Sequence, residues 1–154
     1  MSGSFFQRSG LWVLGQGALL GAVIAGGILY RNQWHSPPLV LCGVFLLVIA
    51  AGCGLAGAIA LGRNLTPFPK PSANSRLVRT GIYGLMRHPL YTAVFCGSLG
   101  WALVWRSWPA LLAVLALAPL FDEKARREER WLRQQFPDYS RYEQQVRRFI
   151  PWVY

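Results

Sequence analysis

Two short stretches of this sequence carry the side chains best suited to chemistry. Residues 87–91 read Arg-His-Pro-Leu-Tyr and combine a cation, an imidazole and a phenol. Further along the chain, Lys124 is followed one helical turn later by Glu128 and Glu129. Together these stretches offer cations that can hold a carboxylate or phosphate, and carboxylates that can hold hydroxyl groups or a cationic ligand.

The first stretch lies where a proline can begin a helix. Pro89 suits the first helical turn, because the N–H that proline lacks has no partner at that position anyway. Arg87 and His88 would then lie at the helix N-terminus, beside free backbone N–H groups and the positive end of the helix dipole. Such a position suits a carboxylate or a phosphate. The alternative is a purely structural arginine and histidine at a membrane interface.

The two glutamates lie on the apolar stripe of a second predicted helix, over residues 121–136. Apolar side chains recur there at helical spacing, and Glu128 and Glu129 fall on the same stripe. A buried carboxylate without a partner costs several kcal/mol. The pair therefore either bonds to Arg87 or Lys124 as structural bridges, or holds the hydroxyl groups or the cationic group of a ligand.

Four apolar segments must position these side chains, and they indicate a membrane protein. Only 14% of the 154 residues are charged and 53% are hydrophobic, whereas soluble domains carry roughly 25% charged residues. Leu11–Tyr30 and Pro38–Leu61 have no charge and are long enough to cross a bilayer. Leu90–Trp105 and Trp108–Phe121 are shorter and lie two residues apart, which predicts a tight helical hairpin with Ser107 as the N-cap of its second helix.

The net charge of +10 is explained by membrane orientation rather than by nucleic-acid binding. Of the 16 lysines and arginines, one lies in the N-terminal segment, five lie in the loop 62–88 and eight lie in the tail 122–154. Only Arg31 and Arg106 lie in the other two connections. By the positive-inside rule, this asymmetry predicts four spans with both termini in the cytoplasm. Anionic membrane lipids are the expected partners of the basic segments, and no nucleic-acid motif is present.

The sequence thus predicts an all-α integral membrane protein with a single domain over residues 1–154. Two N-terminal spans over 11–61 precede a functional core over 62–154, which contains the hairpin and C-terminal cytoplasmic amphipathic helices. Gly17, Gly21 and Ala25 form a small-residue stripe that predicts a seat for a neighbouring helix. No Cys/His spacing resembles a metal site. The oligomeric state is not predicted.

These motifs resemble the isoprenylcysteine carboxyl methyltransferase family of integral-membrane enzymes, close to its small bacterial members. The related phospholipid N-methyltransferases share much of the pattern. The matching pieces are Leu-Gly-Arg-Asn at 61–64, Gly-x-Tyr at 81–83, Arg-His-Pro-x-Tyr at 87–91, Lys124 with the glutamate pair, and Phe-Pro-Asp-Tyr-x-x-Tyr at 136–142 with the tail to Pro151. The match covers roughly residues 60–154 in order and spacing, whereas the first two spans match only in hydropathy.

The resemblance implies an S-adenosylmethionine site on the cytoplasmic side, within a methyltransferase core over 62–154. The cofactor-binding residues that it implies are Tyr83, Arg87, His88, Pro89, Tyr91, Glu128, Glu129 and Tyr142. Lys124 matches a basic residue thought to hold the substrate carboxylate, so Lys124 and Arg87 are the implied catalytic residues. No metal is implied, and the expected location is a bacterial inner membrane.

The predicted function is methyl transfer from S-adenosylmethionine to a lipophilic acceptor in the membrane, with a prenylcysteine-like carboxylate as the favoured acceptor. A carboxylate is already ionised at pH 7, so this reaction needs no general base. Three alternatives stay open: N-methylation of a phospholipid or another lipid amine, an NADPH-dependent reductase of the sterol reductase type, and a non-enzymatic membrane scaffold. The sterol reductases end in a related Arg-His-Pro-x-Tyr motif but lack the glutamate pair.

Overall fold

A computed structural model of the chain describes residues 10–65 and 76–154, and within them the only regular secondary structure is helical. The α-helices are α1 (Gly10–Leu29), α2 (Pro37–Leu61), α3 (Pro89–Trp105), α4 (Trp108–Gln135) and α5 (Tyr139–Gln145). Short 3-10 turns cover Gly62–Asn64 and Gly81–Gly84. The all-α prediction is confirmed for the described residues, and the bounds of α1 to α3 lie within one residue of the apolar segments.

Two of the helices are long and apolar enough to cross a membrane. They are Gly10–Leu29 and the continuous helical run Pro37–Asn64. The outward side chains of α2 include Leu41, Phe45 and Ile59, all of them exposed, as on a helix face that contacts lipid. The apolar helix α3 is shorter, and α4 is apolar only in its first half. Passage of α3 and α4 through the membrane stays a prediction.

The helices pack in two tight pairs, α2 on α3 and α1 on α4. At the first contact, a Cβ atom on Gly100 would lie 2.7 Å from the carbonyl oxygen of Gly43, so the two backbones touch. At the second, a Cβ atom on Gly26 would lie 3.0 Å from the backbone nitrogen of Ala110. The small-residue stripe with Gly17 and Gly21 faces outward, and a Cβ atom added at either glycine would meet no atom of the described residues within 4 Å, so its role as a helix seat stays a prediction.

The hairpin between α3 and α4 turns within two residues. Arg106 adopts a left-handed conformation with φ of 56° and ends α3. The Ser107 hydroxyl accepts a hydrogen bond from the N–H of Ala110 at 3.4 Å, which confirms the predicted N-cap. The same hydroxyl donates to the carbonyl oxygen of Gly26 at 2.8 Å. One buried side chain thus closes the turn and attaches it to α1.

The chain after α5 returns to the start of α3. The backbone N–H of Arg87 donates to the carbonyl oxygen of Arg147 at 2.9 Å, and that of His88 donates to Arg148 at 3.0 Å. These two N–H groups are therefore bonded to the returning tail. This pairing places Arg148 against α4, which extends beyond the predicted end of its apolar segment to Gln135.

Candidate active site

The predicted site residues meet at one end of the helix bundle, which we call the polar end. It is formed by the 3-10 turn at 81–84, the start of α3, the second half of α4, α5 and the returning tail. The buried members of the set are Tyr83, His88, Pro89, Lys124, Glu129 and Tyr142. The others, Arg87, Tyr91 and Glu128, are partly exposed. Hydrogen bonds, ion pairs and ring contacts described below link these residues into one cluster.

Glu129 is the centre of a buried ion-pair network, with its side chain 1% exposed. Arg148 binds it twice, with Nε 3.0 Å from Oε1 and Nη2 2.7 Å from Oε2. Arg87 Nη2 and His88 Nε2 each lie 3.1 Å from Oε1. Burial by itself would raise the pKa of Glu129, but the hydrogen bonds from His88 and Arg148 and the charge on Arg87 lower it to about 2. These contacts favour a structural role for Glu129, including the bridge to Arg87 that the sequence left open.

The network extends to neighbouring elements through its two arginines. Arg148 Nη1 lies 2.9 Å from Oδ1 of Asp122, and Arg87 Nη1 donates to the carbonyl oxygen of Glu143 at 3.1 Å. Sequence reasoning missed Arg148 and counted it only as a basic residue of the tail. The available signal was its position inside the tail motif, three residues before Pro151.

Glu128 has a more open environment than its neighbour, since its side chain is 27% exposed. Its Oε2 accepts a hydrogen bond from the Tyr91 hydroxyl at 2.7 Å. The imidazole Nδ1 of His88 lies 3.8 Å from the same oxygen. Among the described residues, no arginine or lysine forms an ion pair with Glu128. This carboxylate is therefore positioned by Tyr91 and is not bound by the arginines that hold Glu129.

Lys124 is a buried cation on the α1 side of the cluster, only 3% exposed. Its ammonium donates a hydrogen bond to Oε1 of Gln16 at 2.6 Å and lies over the Tyr91 ring, 5.1 Å from its centroid. The Tyr91 ring is stacked between His88 and Phe121, with centroid distances of 5.3 Å on each side. Tyr91 thus contacts both a buried cation and a partly exposed carboxylate.

Two buried donors at the polar end have no hydrogen-bond partner within the described part of the chain. They are Nε of Arg87 and the hydroxyl of Tyr139, a residue that is only 1% exposed. Burial raises the pKa of Tyr139, and the charge on Glu129 raises it further while the charge on Arg87 lowers it. Tyr139 was missed as a site residue, although it belongs to the matched motif at 136–142.

Tyr142 fixes the opposite wall of the cluster. Its hydroxyl donates to the carbonyl oxygen of Tyr83 at 2.5 Å, and burial raises the pKa of Tyr142 to about 12. Tyr142 also lines an open groove of about 630 Å³ together with Arg79 and Asp138. A neutral, hydrogen-bonded phenol of this kind holds α5 against the turn at 81–84.

Comparisons with known proteins connect this chain to a family. The phospholipid methyltransferase family matches residues 39–139, which is more than half of the chain. The chain is 31% identical over 148 residues to the cobalt-zinc-cadmium resistance protein CzcN of Cupriavidus metallidurans. It is 30% identical over 147 residues to the nickel-cobalt-cadmium resistance protein NccN of Alcaligenes xylosoxydans xylosoxydans. Both alignments cover 94% of this chain, which spans only 64% and 65% of these two relatives.

The fold also matches a solved structure. The eukaryotic intramembrane Ras methyltransferase, isoprenylcysteine carboxyl methyltransferase, superposes with a TM-score of 0.66 and 21% sequence identity. The superposition covers 94% of this chain and 53% of that enzyme. The resemblance drawn from the motifs at 87–91 and 124–129 is confirmed by this fold and by the family match. The chain belongs to the phospholipid methyltransferase family and has the fold of an intramembrane methyltransferase.

Proposed function

We propose that this protein transfers a methyl group from S-adenosylmethionine to a lipophilic acceptor dissolved in the membrane. The observation that carries the proposal is the arrangement at the polar end, where Tyr91 positions Glu128 and two buried donors of the same cluster have no hydrogen-bond partner among the described residues. Family membership supports the reaction type. The cofactor core lies within residues 62–154.

The side chains present at the polar end fit the polar groups of S-adenosylmethionine. Arg87 Nε and the Tyr139 hydroxyl can donate to its carboxylate, since both are buried and neither has an acceptor in residues 10–65 and 76–154. Glu128 can accept hydrogen bonds from ribose hydroxyls or face the positive sulfur. Glu129 is already bound by Arg148, Arg87 and His88. We therefore assign the cofactor contact of the glutamate pair to Glu128.

When bound, the cofactor supplies an electrophilic methyl group on a positively charged sulfur. The protein's part is to orient the acceptor and to exclude water, and positioning of this kind can lower a barrier by about 7–11 kcal/mol. Lys124 can hold an acceptor carboxylate, because its ammonium is buried and its hydrogen-bond partner, Gln16, is neutral. The ammonium lies over the Tyr91 ring and, among the described residues, forms no ion pair with a carboxylate.

A lipid amine is the second candidate acceptor, and the match to the phospholipid methyltransferase family favours it. An amine must lose a proton before it can attack. Glu128 and His88 lie in the same cluster, 3.8 Å apart, and either side chain can accept that proton. The family match disfavours both the NADPH-dependent reductase and the non-enzymatic scaffold.

Glu128→Gln tests the cofactor site. Because the hydrogen bonds of a charged group are worth about 1.5–3 kcal/mol, we expect the affinity for S-adenosylmethionine to fall by roughly 10- to 100-fold. The measurement is isothermal titration in mild detergent, with S-adenosylhomocysteine titrated in parallel. Equal losses for both ligands indicate a ribose contact, whereas a larger loss for S-adenosylmethionine indicates contact with the charged sulfur.

Glu123→Gln is the matched control for this experiment, since Glu123 lies on the same helix but is 42% exposed and pairs with Arg127. The affinity of Glu123→Gln for S-adenosylmethionine is expected to equal that of the unmutated protein. A folded Glu128→Gln variant that binds both ligands with unchanged affinity would remove Glu128 from the cofactor site.

We further propose four membrane passes with the polar end in the cytoplasm. On a background without Cys42, Cys53 and Cys96, cysteines are introduced at His35 and Val153, which are both exposed and lie at opposite ends of the bundle. A membrane-impermeant maleimide is expected to label the cysteine at position 35 in intact spheroplasts. The cysteine at position 153 is expected to react only after permeabilisation, and the reverse pattern would contradict this orientation.

A further inference from the structure

Helix α1 carries a single side chain with an amide or a charge, and it points to the polar end. In the stretch from Gly10 to Leu29, every other side chain is apolar apart from the indole of Trp12. This residue is Gln16, and its Oε1 lies 2.6 Å from the ammonium nitrogen of Lys124, 108 residues later in the chain. The contact joins the first membrane helix to the α4 segment that carries Glu128.

The contact leaves Lys124 with N–H donors that no hydrogen bond among the described residues uses. An ammonium group has three N–H donors, and the hydrogen bond of Lys124 within the described residues uses one of them for Gln16. The Gln16 amide group adds two further N–H donors next to the same cation. Because glutamine is neutral, it fixes the ammonium without cancelling its charge. A buried cation in this state favours an anionic ligand.

We propose that Gln16 and Lys124 together form the binding site for an anionic oxygen head group, carboxylate or phosphate, on the membrane-dissolved acceptor. This inference rests on the proposed methyltransferase function and adds α1 to the acceptor site. Gln16 is its specificity-determining residue, because it sets the position of the cation. The outer face of α1 carries exposed apolar side chains, among them Leu14 and Ile24, so the apolar part of such a molecule can remain in lipid.

Two substitutions at position 16 separate this role from simple packing. Gln16→Leu removes the hydrogen bond and the amide donors while keeping a side chain of similar size. In Gln16→Glu, the introduced carboxylate forms an ion pair with Lys124. This pair keeps the contact between α1 and α4, but it neutralises the cation and repels an anionic ligand. Gln33→Leu is the matched control, since Gln33 is a second glutamine with a hydrogen bond, from the N–H of Trp108, at the opposite end of the bundle.

The measurement is the dissociation constant of the detergent-purified protein for N-acetyl-farnesylcysteine and for its uncharged methyl ester. Phosphatidic acid and diacylglycerol form the corresponding pair for a phosphate head group. For the acidic ligand that binds, we expect affinity to fall about tenfold in Gln16→Leu and about 50-fold or more in Gln16→Glu. The affinities for the uncharged partner ligand and for S-adenosylhomocysteine are expected to change less than about twofold in every variant. In Gln33→Leu, the affinities for all of the ligands are expected to change by less than about twofold.

Several results would overturn the proposal. One is equal affinity of the unmutated protein for the acidic ligand and its uncharged partner in both pairs. Another is an affinity for the acidic ligand that does not change in Gln16→Glu. A third is a loss of affinity for the uncharged ligand as large as the loss for the acidic one. Absence of S-adenosylmethionine binding by the unmutated protein would instead overturn the proposed function, and the anion site would still be decided by the ligand pairs.

Discussion

Glu129→Gln is expected to produce the largest loss of stability of any single charge removal at the polar end. The substitution leaves Arg148 and Arg87 partly buried without the carboxylate that both of them bind. Breaking a buried ion pair by removing one partner costs about 3–5 kcal/mol in the free energy of unfolding. We expect a loss of this size in denaturant unfolding of the detergent-solubilised protein. Glu123→Gln, which breaks a partly exposed pair with Arg127, is expected to cost less than about 1 kcal/mol.

The same residue predicts how stability depends on pH. The pKa of Glu129 is about 2 in the folded protein, because its hydrogen bonds and ion pairs outweigh burial, whereas an unfolded chain has a value of about 4.3. The contribution of Glu129 is therefore fully present above about pH 4.3 and is lost as the pH falls through about 2. The free energy of unfolding of the unmutated protein is expected to decrease as the pH falls through this window. In Glu129→Gln, the share of this decrease that is due to Glu129 should be absent. If Glu129→Gln is as stable as Glu123→Gln and loses stability at low pH as the unmutated protein does, the network does not hold the fold.

Lys124→Met is expected to have the largest effect on the reaction. Removing one partner of a buried hydrogen-bonded charge interaction costs about 2–5 kcal/mol, so the rate of methyl transfer to a carboxylate acceptor should fall by roughly 30-fold or more. The affinity for S-adenosylhomocysteine should change little, since the ammonium bonds to Gln16 and lies over Tyr91 rather than beside Arg87. The fold should survive, because methionine is neutral and similar in length to lysine.

This prediction is checked by measuring methyl transfer to N-acetyl-farnesylcysteine and S-adenosylhomocysteine affinity on the same preparations. Arg126→Met is the control, because Arg126 is an exposed cation on the same helix and pairs with Asp122. Equal losses of transfer and of cofactor affinity would place Lys124 in the cofactor site. Transfer by the unmutated protein to phosphatidylethanolamine, and not to the farnesylcysteine, would favour the lipid-amine acceptor.

The helices themselves were predictable from the sequence because their signals are local. Long uncharged segments marked α1 and α2, Pro89 marked the start of α3, and Ser107 marked the cap of α4. Each signal depends on side chains within a few residues of one another. The family motifs are local in the same way, which is why segments 87–91 and 124–129 mark the candidate site in the sequence alone.

The different environments of the two glutamates could not be obtained in this way. Glu128 and Glu129 are chemically identical neighbours, and helical periodicity places both on one stripe. The return of the tail decided between them, because it brings Arg148 to Glu129 and leaves Glu128 with the Tyr91 hydroxyl. The same holds for Gln16, whose partner Lys124 lies 108 residues away. A charged side chain that is buried away from water needs a compensating partner. Here the partners lie in distant segments of the chain, and local sequence patterns do not predict which distant segments pack together.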